Sequence, residues 1–266
     1  MLMKLSSTVL FTTMLLLTPG VSLADSSVSV SCSGYGSAVA SSAGSYASVN
    51  CSGQSGSIPR GVTVTKKFKL QNYSTLSVSG SYNLLAKLGS ENSVTITGDS
   101  NYLDKNEPTV RDGSLQISGP GNSEPPYDIV VLATSLEKVR LSGAGNSEIM
   151  GNFPSGLSLR VSGAGNTKLD VATEQRIHIQ RSGAGTISGT GRAASLQLDA
   201  SGAGSVNLRN LKVKNASIQI SGAVSLSICA SQSATGIITG ASSAKVYCQP
   251  AERAISTKGS SSVRYR

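Results

Sequence analysis

Tryptophan is absent, histidine occurs once, and only eight tyrosines and three phenylalanines stand in 266 residues. A chain this poor in rings has little with which to stack bases, so the sequence predicts no specific nucleic-acid partner. With His178 alone and no CxxC spacing, it also predicts no zinc site, and no Asp cluster suited to calcium stands out; we expect no metal and no cofactor. Charge is sparse too, at 14% of residues, with 23 basic against 14 acidic side chains for a formal net charge of +9. After the first two dozen residues no apolar run is long enough for a transmembrane helix.

What the chain has in abundance is glycine, 29 residues of it, much of it in a repeated phrase. Leu141-SGAGN, Val161-SGAGN, Arg181-SGAGT and Ala200-SGAGS place their first glycines at Gly143, Gly163, Gly183 and Gly202, steps of 20, 20 and 19 residues. The apolar–hydroxyl–glycine signature extends upstream to Gly80, Gly98 and Gly119 and downstream to Gly222, Gly240 and Gly259. A fixed period of this length marks a stacked repeat architecture. An apolar residue four before most of these glycines, as at Leu76, Val139, Leu159, Ile179 and Leu198, adds the period-2 alternation of a strand with one buried face.

Three residues after each glycine a polar column recurs: Asn83, Asn101, Asn122, Asn146, Asn166, then Thr186, Ser205, Ser225, Ser243 and Ser262. Such residues bond along a stack, as Asn ladders do in cross-β arrays. The sequence therefore predicts an all-β, single-stranded parallel β-helix over 61–266, with about ten coils of roughly 20 residues. At a strand spacing of about 4.8 Å this makes a rod on the order of 50 Å long.

Residues 1–24 carry the marks of a secretory signal peptide: Lys4, an apolar run through Leu17, then Ser22-Leu23-Ala24 at the cleavage positions. No cysteine follows the cut, which argues against a lipoprotein anchor, and the protein is expected to be exported to the periplasm, cell surface or medium. Residues 25–60 are Ser- and Gly-rich and read either as a flexible leader or as divergent coils capping the stack. Cys32/Cys51 and Cys229/Cys248 are each 19 residues apart, one repeat, so stacking would bring each pair within disulfide reach in an oxidising compartment.

From Phe68 onward the chain resembles the bacterial head-GIN domain family, proposed heads of autotransporter adhesins. The likeness rests on Leu76-Ser-Val-Ser-Gly80, Val94-Thr-Ile-Thr-Gly-Asp99, Asn101-Tyr-Leu103, Asp112-Gly-Ser-Leu115 and the SGAGN phrases. It implies a right-handed, pectin-lyase-like β-helix without a recognised catalytic set, and adhesion as its role. Fold analogy alone is a weak warrant for function.

The residues themselves give little sign of catalysis. Glycan hydrolysis requires two carboxylates across one sugar, and the acids here do not share columns: Glu148 stands at +5 from its glycine, Asp170 at +7 and Asp199 at −3. His178 reads as an outward strand residue without an aligned Ser, Cys or acid, and Arg181, in a slot that is apolar elsewhere, as an end-of-strand side chain reaching outward. The basic residues say more. Arg140 and Arg160 hold the same outward position in consecutive repeats, beside Lys138. With a loop at Pro125, Pro126 and Tyr127, they form the candidate binding surface for an anionic glycan or envelope polymer. The primary expectation is a non-catalytic adhesion or envelope-binding module; the alternative is a carbohydrate-active β-helix enzyme.

Overall fold

The computed structural model of the protein describes residues 28–30, 62–121 and 124–266. The expected signal peptide, the Cys32–Cys51 pair, nearly all of the 25–60 segment and Asn122 lie outside them. The described chain is almost entirely β, in one mixed 14-stranded sheet whose two ends do not meet, so it is not a closed barrel.

The alternation of apolar and polar residues makes strands, and the glycines let them bend and stack. In the body of the sheet β9 (Lys138–Asn152), β10 (Leu157–Ala172) and β11 (Arg176–Gly240) run parallel, with Arg160 opposite Arg140 and Gln180, an offset of one 20-residue repeat each time. β11 is one extended run of 65 residues that passes through several repeats. β12 (Ser243–Tyr247), β13 (Glu252–Gly259) and β14 (Ser262–Tyr265) continue the parallel pairing, with Leu226 opposite Ala244 and Gly240 opposite Gly259. Residues four before the glycines form the core: Leu76, Leu115, Val139, Leu159, Ile179, Leu198 and Ile218 are all fully buried. Four after the glycines, Ser147 and Thr167 point inward and satisfy each other, Oγ to Oγ1 at 3.0 Å. Buried hydroxyls need such partners.

The marker glycines stack on one another. Gly143, Gly163, Gly183, Gly202, Gly222 and Gly240 have φ between +90° and +116°, and a Cβ on each would sit well inside 3.0 Å of the carbonyl oxygen of the glycine in the preceding layer. Positive φ alone favours glycine; here the close approach of the neighbouring backbone forbids any side chain as well.

The N-terminal part departs from the expected order. β3 (Thr75–Ser79) pairs with both β7 (Ser114–Ser118) and β9, and β4 (Ser81–Leu88) with both β8 (Tyr127–Ala133) and β9. The repeat of Gly80 thus lies between those of Gly119 and Gly143, and the chain steps outward before it steps back. β2 (Thr63–Lys69) and β5 (Ser93–Asp99) pair antiparallel with each other, and β5 antiparallel with β8. β1 (Val28–Val30) adds antiparallel to β2, and β6 (Thr109–Arg111) to β7. The expected uniform parallel stack from Val62 is therefore replaced at this end by an antiparallel cap, which shields strand edges that would otherwise be open.

Gly98 and Asn101 accordingly leave the columns the sequence assigned them. Gly98 does not join the glycine stack; it is small because the Tyr127 ring lies against it, within 3.0 Å of where a Cβ would be. Asn101 lies in α1 (Ser100–Lys105), whose N-cap Asp99 accepts from the Tyr102 backbone N–H at 3.1 Å, and Leu103 on α1 is fully buried. An Asp followed by helix-compatible residues is a sound cap signal, which the repeat pattern masked.

Cys229 and Cys248 form the expected disulfide, Cα atoms 5.2 Å apart. Closing a loop of this size stabilises by about 3 kcal/mol, so Cys229→Ser/Cys248→Ser should lower the denaturation free energy by roughly that amount in chemical unfolding. Gly163→Ala should cost about 3 kcal/mol or more, positive φ and backbone clash combined. Gly89→Ala, where a Cβ meets nothing within 4 Å, should stay within about 0.5 kcal/mol.

Candidate functional site

Outward positions three before the glycines form a column along the sheet. Register places Gln116, Ser77, Arg140, Arg160 and Gln180 side by side. The stacking of Gly202 on Gly183 brings Asp199 next. Arg140 is exposed between the buried Val139 and Leu141, Arg160 is exposed between the buried Leu159 and the half-buried Val161, and Lys138 stands two residues before Arg140, opposite Thr75 and Ser158. The side chains of Arg140, Arg160 and Lys138 make no hydrogen bond or ion pair with any described residue. Some other basic side chains are engaged. Lys66 binds Asp104 at 2.7 Å and Glu107 at 3.0 Å, and Arg209 lies 4.4 Å over the Tyr247 ring. Burial pulls the Lys66 ammonium down, but those two carboxylates outweigh it and its pKa ends above the ordinary value.

Next to Arg160 the column opens into a hollow of about 560 Å³ lined by Gln180, Asp199, Gln219 and Ile237 among others. Here His178 Nε2 lies 2.9 Å from Asp199 Oδ2, and Gln197 Nε2 donates to the same oxygen at 3.4 Å. His178 does have an aligned acid, contrary to the expectation. His178 stands five before its glycine and Asp199 three before the next, so the pair forms on a diagonal that a column-by-column comparison misses. Ser158 is the register partner of His178, but no hydrogen bond joins them.

Arg181 also differs from its expected outward pose. It is buried, 4% exposed, beneath the glycine corner, where Nη2 donates to the carbonyl oxygens of Gly185, at 2.8 Å, and Ala203. Nη1 is buried without a partner, and burial holds the guanidinium below the ordinary arginine range. The small Ala200 in the corresponding slot of the next repeat is the sequence signal that leaves room for it.

Of the proline loop, Pro125 and Pro126 are exposed, but they precede β8, on the far side of the glycine corner from Arg140. The structure does not bring Pro125 into the arginine column. Tyr127 is not a surface residue. It is 1% exposed, its ring set edge-on to Tyr102 with centroids 5.8 Å apart. Apolar surroundings and the nearby Tyr102, Asp99 and Asp104 raise its pKa, and its hydroxyl lacks a partner. Burial likewise pushes Tyr82 up to about 12. The insertion that spaces Gly119 from Tyr127 looked like a projecting loop throughout, whereas its last residue anchors the cap.

The acids remain dispersed: Glu148 pairs with Lys168 at 2.8 Å, Asp128 accepts from Asn83 at 2.9 Å and Asp170 from Thr190 at 3.0 Å. Among the described residues no three His, Cys, Asp or Glu side chains gather as a metal site, and no helix is long and apolar enough to cross a membrane.

Because its hydroxyl is unpartnered, Tyr127→Phe should leave the melting temperature unchanged or raise it slightly. Tyr127→Ala should cost about 3 to 5 kcal/mol in denaturant unfolding.

The family described as "Putative auto-transporter adhesin, head GIN domain" matches residues 72–250. Among solved structures, an adhesin-described protein from Bacteroides fragilis superposes with a TM-score of 0.69 at 19% identity, covering 77% of this chain and 97% of that one. A second, from Parabacteroides distasonis, gives 0.54 at 19% identity over 76% and 97%, and a third, from Parabacteroides merdae, 0.52 at 15% over 77% and 96%. At these identities the likeness is one of fold. No curated protein matches the chain.

Proposed function

This chain belongs to the head GIN domain family of autotransporter-adhesin heads, and we propose that it is an exported, non-catalytic binding module for an anionic glycan or envelope polymer. In this reading residues 1–24 are removed on export. The repeats coil as a parallel β-helix, right-handed as the family resemblance implies, and the antiparallel strands close its N-terminal end.

The observation that carries the ligand class is the pair Arg140 and Arg160. They are direct register partners, and no acid neutralises either. Like charges directly opposite in a sheet destabilise it, and nothing in the packing requires arginine at these exposed positions. A bound anion would relieve the repulsion and use the geometry, since guanidinium groups bind sulfate, phosphate or carboxylate through paired N–H donors. Stacked cations at strand spacing suit a polymer with charges repeated along its length. The adhesin descriptions of the structural neighbours agree with a surface-binding role, and the pairing of Glu148 with Lys168, of Asp128 with Asn83 and of Asp170 with Thr190 favours binding over bond cleavage.

The test is binding of the purified protein to polygalacturonate, heparin and lipopolysaccharide at low and high salt, with a product assay on each. We expect salt-sensitive binding without product. Arg140→Ala/Arg160→Ala should weaken it by roughly tenfold or more, at about 1 kcal/mol per cation lost at an anionic surface, and flatten the salt dependence. Binding indifferent to both arginines, or cleaved product, would overturn the reading; cleavage would redirect attention to His178 and Asp199.

A further inference from the structure

On the other side of the glycine corner, three residues after the glycines, lies an exposed row of side chains that the arginine face does not involve. Asn166 Nδ2 donates to Asn146 Oδ1 at 3.2 Å, Asn146 Nδ2 to Asn83 Oδ1 at 3.5 Å, and Asn83 Nδ2 to Asp128 Oδ1 at 2.9 Å. Three amides from three layers thus point their donors one way, toward a terminal carboxylate. Beside them run Val130 and Leu85, register partners on neighbouring strands, with Val130 38% exposed. Together these residues line a groove of about 560 Å³, within the range of ligand-binding clefts.

We propose that this groove is a second binding site, one for an uncharged, hydroxyl-rich chain, a neutral glycan lying along the stacking direction. Valence is the first argument. An amide has two N–H donors and two acceptor lone pairs, and the ladder occupies at most one donor and one lone pair of each. Every Asn in it is exposed, so each keeps a donor and an acceptor for solvent or ligand. A hydroxyl both donates and accepts, and a hydroxylated chain offers such groups at intervals comparable with the strand spacing of about 4.8 Å.

Preorganisation is the second. The ladder fixes the amide orientation before any ligand arrives, which lowers the entropic cost of binding. The third is charge. The charged residues lining the groove are Asp128, Glu148 and Lys168, and the last two pair at 2.8 Å. Asp128 leaves a net negative charge, the opposite of the arginine face and unsuited to a polyanion. The exposed part of Val130 and the Leu85 beside it provide an apolar floor for the C–H faces of a sugar ring.

Stability does not account for the row. Asn is depleted in strands, and exposed, water-competed hydrogen bonds of this length contribute little. The buried Ser147–Thr167 pair one residue further along already meets the interior's need for polar satisfaction.

The test is affinity electrophoresis and calorimetry of the full chain with dextran, mannan and xyloglucan at low and high salt. We expect at least one of these polymers to bind, with little salt dependence. Asn146→Thr/Asn166→Thr should weaken that binding by about tenfold while keeping a cooperative melt, since Thr186 already occupies the same column in the next layer. Val130→Asp, on the floor, should reduce it several-fold without touching the ladder. Arg140→Ala/Arg160→Ala should leave it unchanged. Failure of all three polymers to bind would overturn the proposal. So would unchanged affinity in both groove variants, or loss of binding in the arginine variant, which would place neutral and anionic ligands on one face.

Discussion

The column of glycines is the constraint on which the other features depend. Each marker glycine in the body of the sheet holds a positive φ and lets the backbone of the preceding layer approach to where a Cβ would have to be. Because that contact recurs at every layer, it sets the register of each repeat on its neighbour. A one-residue slip would turn an apolar set outward and a polar set inward. It would also set a side chain against a carbonyl. Register held this firmly converts a linear period into columns in space, and both candidate surfaces are columns.

The two sides of the corner have become chemically distinct. Before the glycines the outward column carries Arg140 and Arg160 without counter-ions, then polar residues and the His178–Asp199 pair. After the glycines it carries the amide ladder and the Glu148–Lys168 pair. Directly beneath the corner Arg181 binds the carbonyls of two successive glycine turns. A buried guanidinium without an acid is costly, offset here in part by backbone acceptors that the bend turns inward. Its Nη1 remains unsatisfied.

Stacked repeats need ends, and the N-terminal end is built from elements that break the pattern. β5 carries the repeat signature yet runs antiparallel, and α1 interrupts the strands with Leu103 buried against them. Tyr127 fills the space over Gly98. An antiparallel partner on the terminal layer exposes fewer unpaired backbone groups than a bare parallel edge. At the other end Glu252–Tyr265 remains largely exposed, with Arg253 over the Tyr265 ring at 5.2 Å.

The repeat, the inward and outward faces, the Cys229–Cys248 bridge and the adjacency of Arg140 and Arg160 could be read from the amino acids alone. Each follows from a fixed period combined with the alternation of a strand, and both are local properties of the chain. Layer order could not be read in this way. Nothing in Val78-Ser79-Gly80 or Ile117-Ser118-Gly119 distinguishes sequential stacking from the observed arrangement, in which the Gly80 repeat sits between its successors. Direction of pairing was equally hidden, because antiparallel β5 shows the same alternation as its parallel relatives. The burial of Tyr127, the inward turn of Arg181 and the diagonal His178–Asp199 contact likewise depend on which layers become neighbours. Those pairings are long-range choices made by packing, and packing compares whole surfaces that no window of sequence contains.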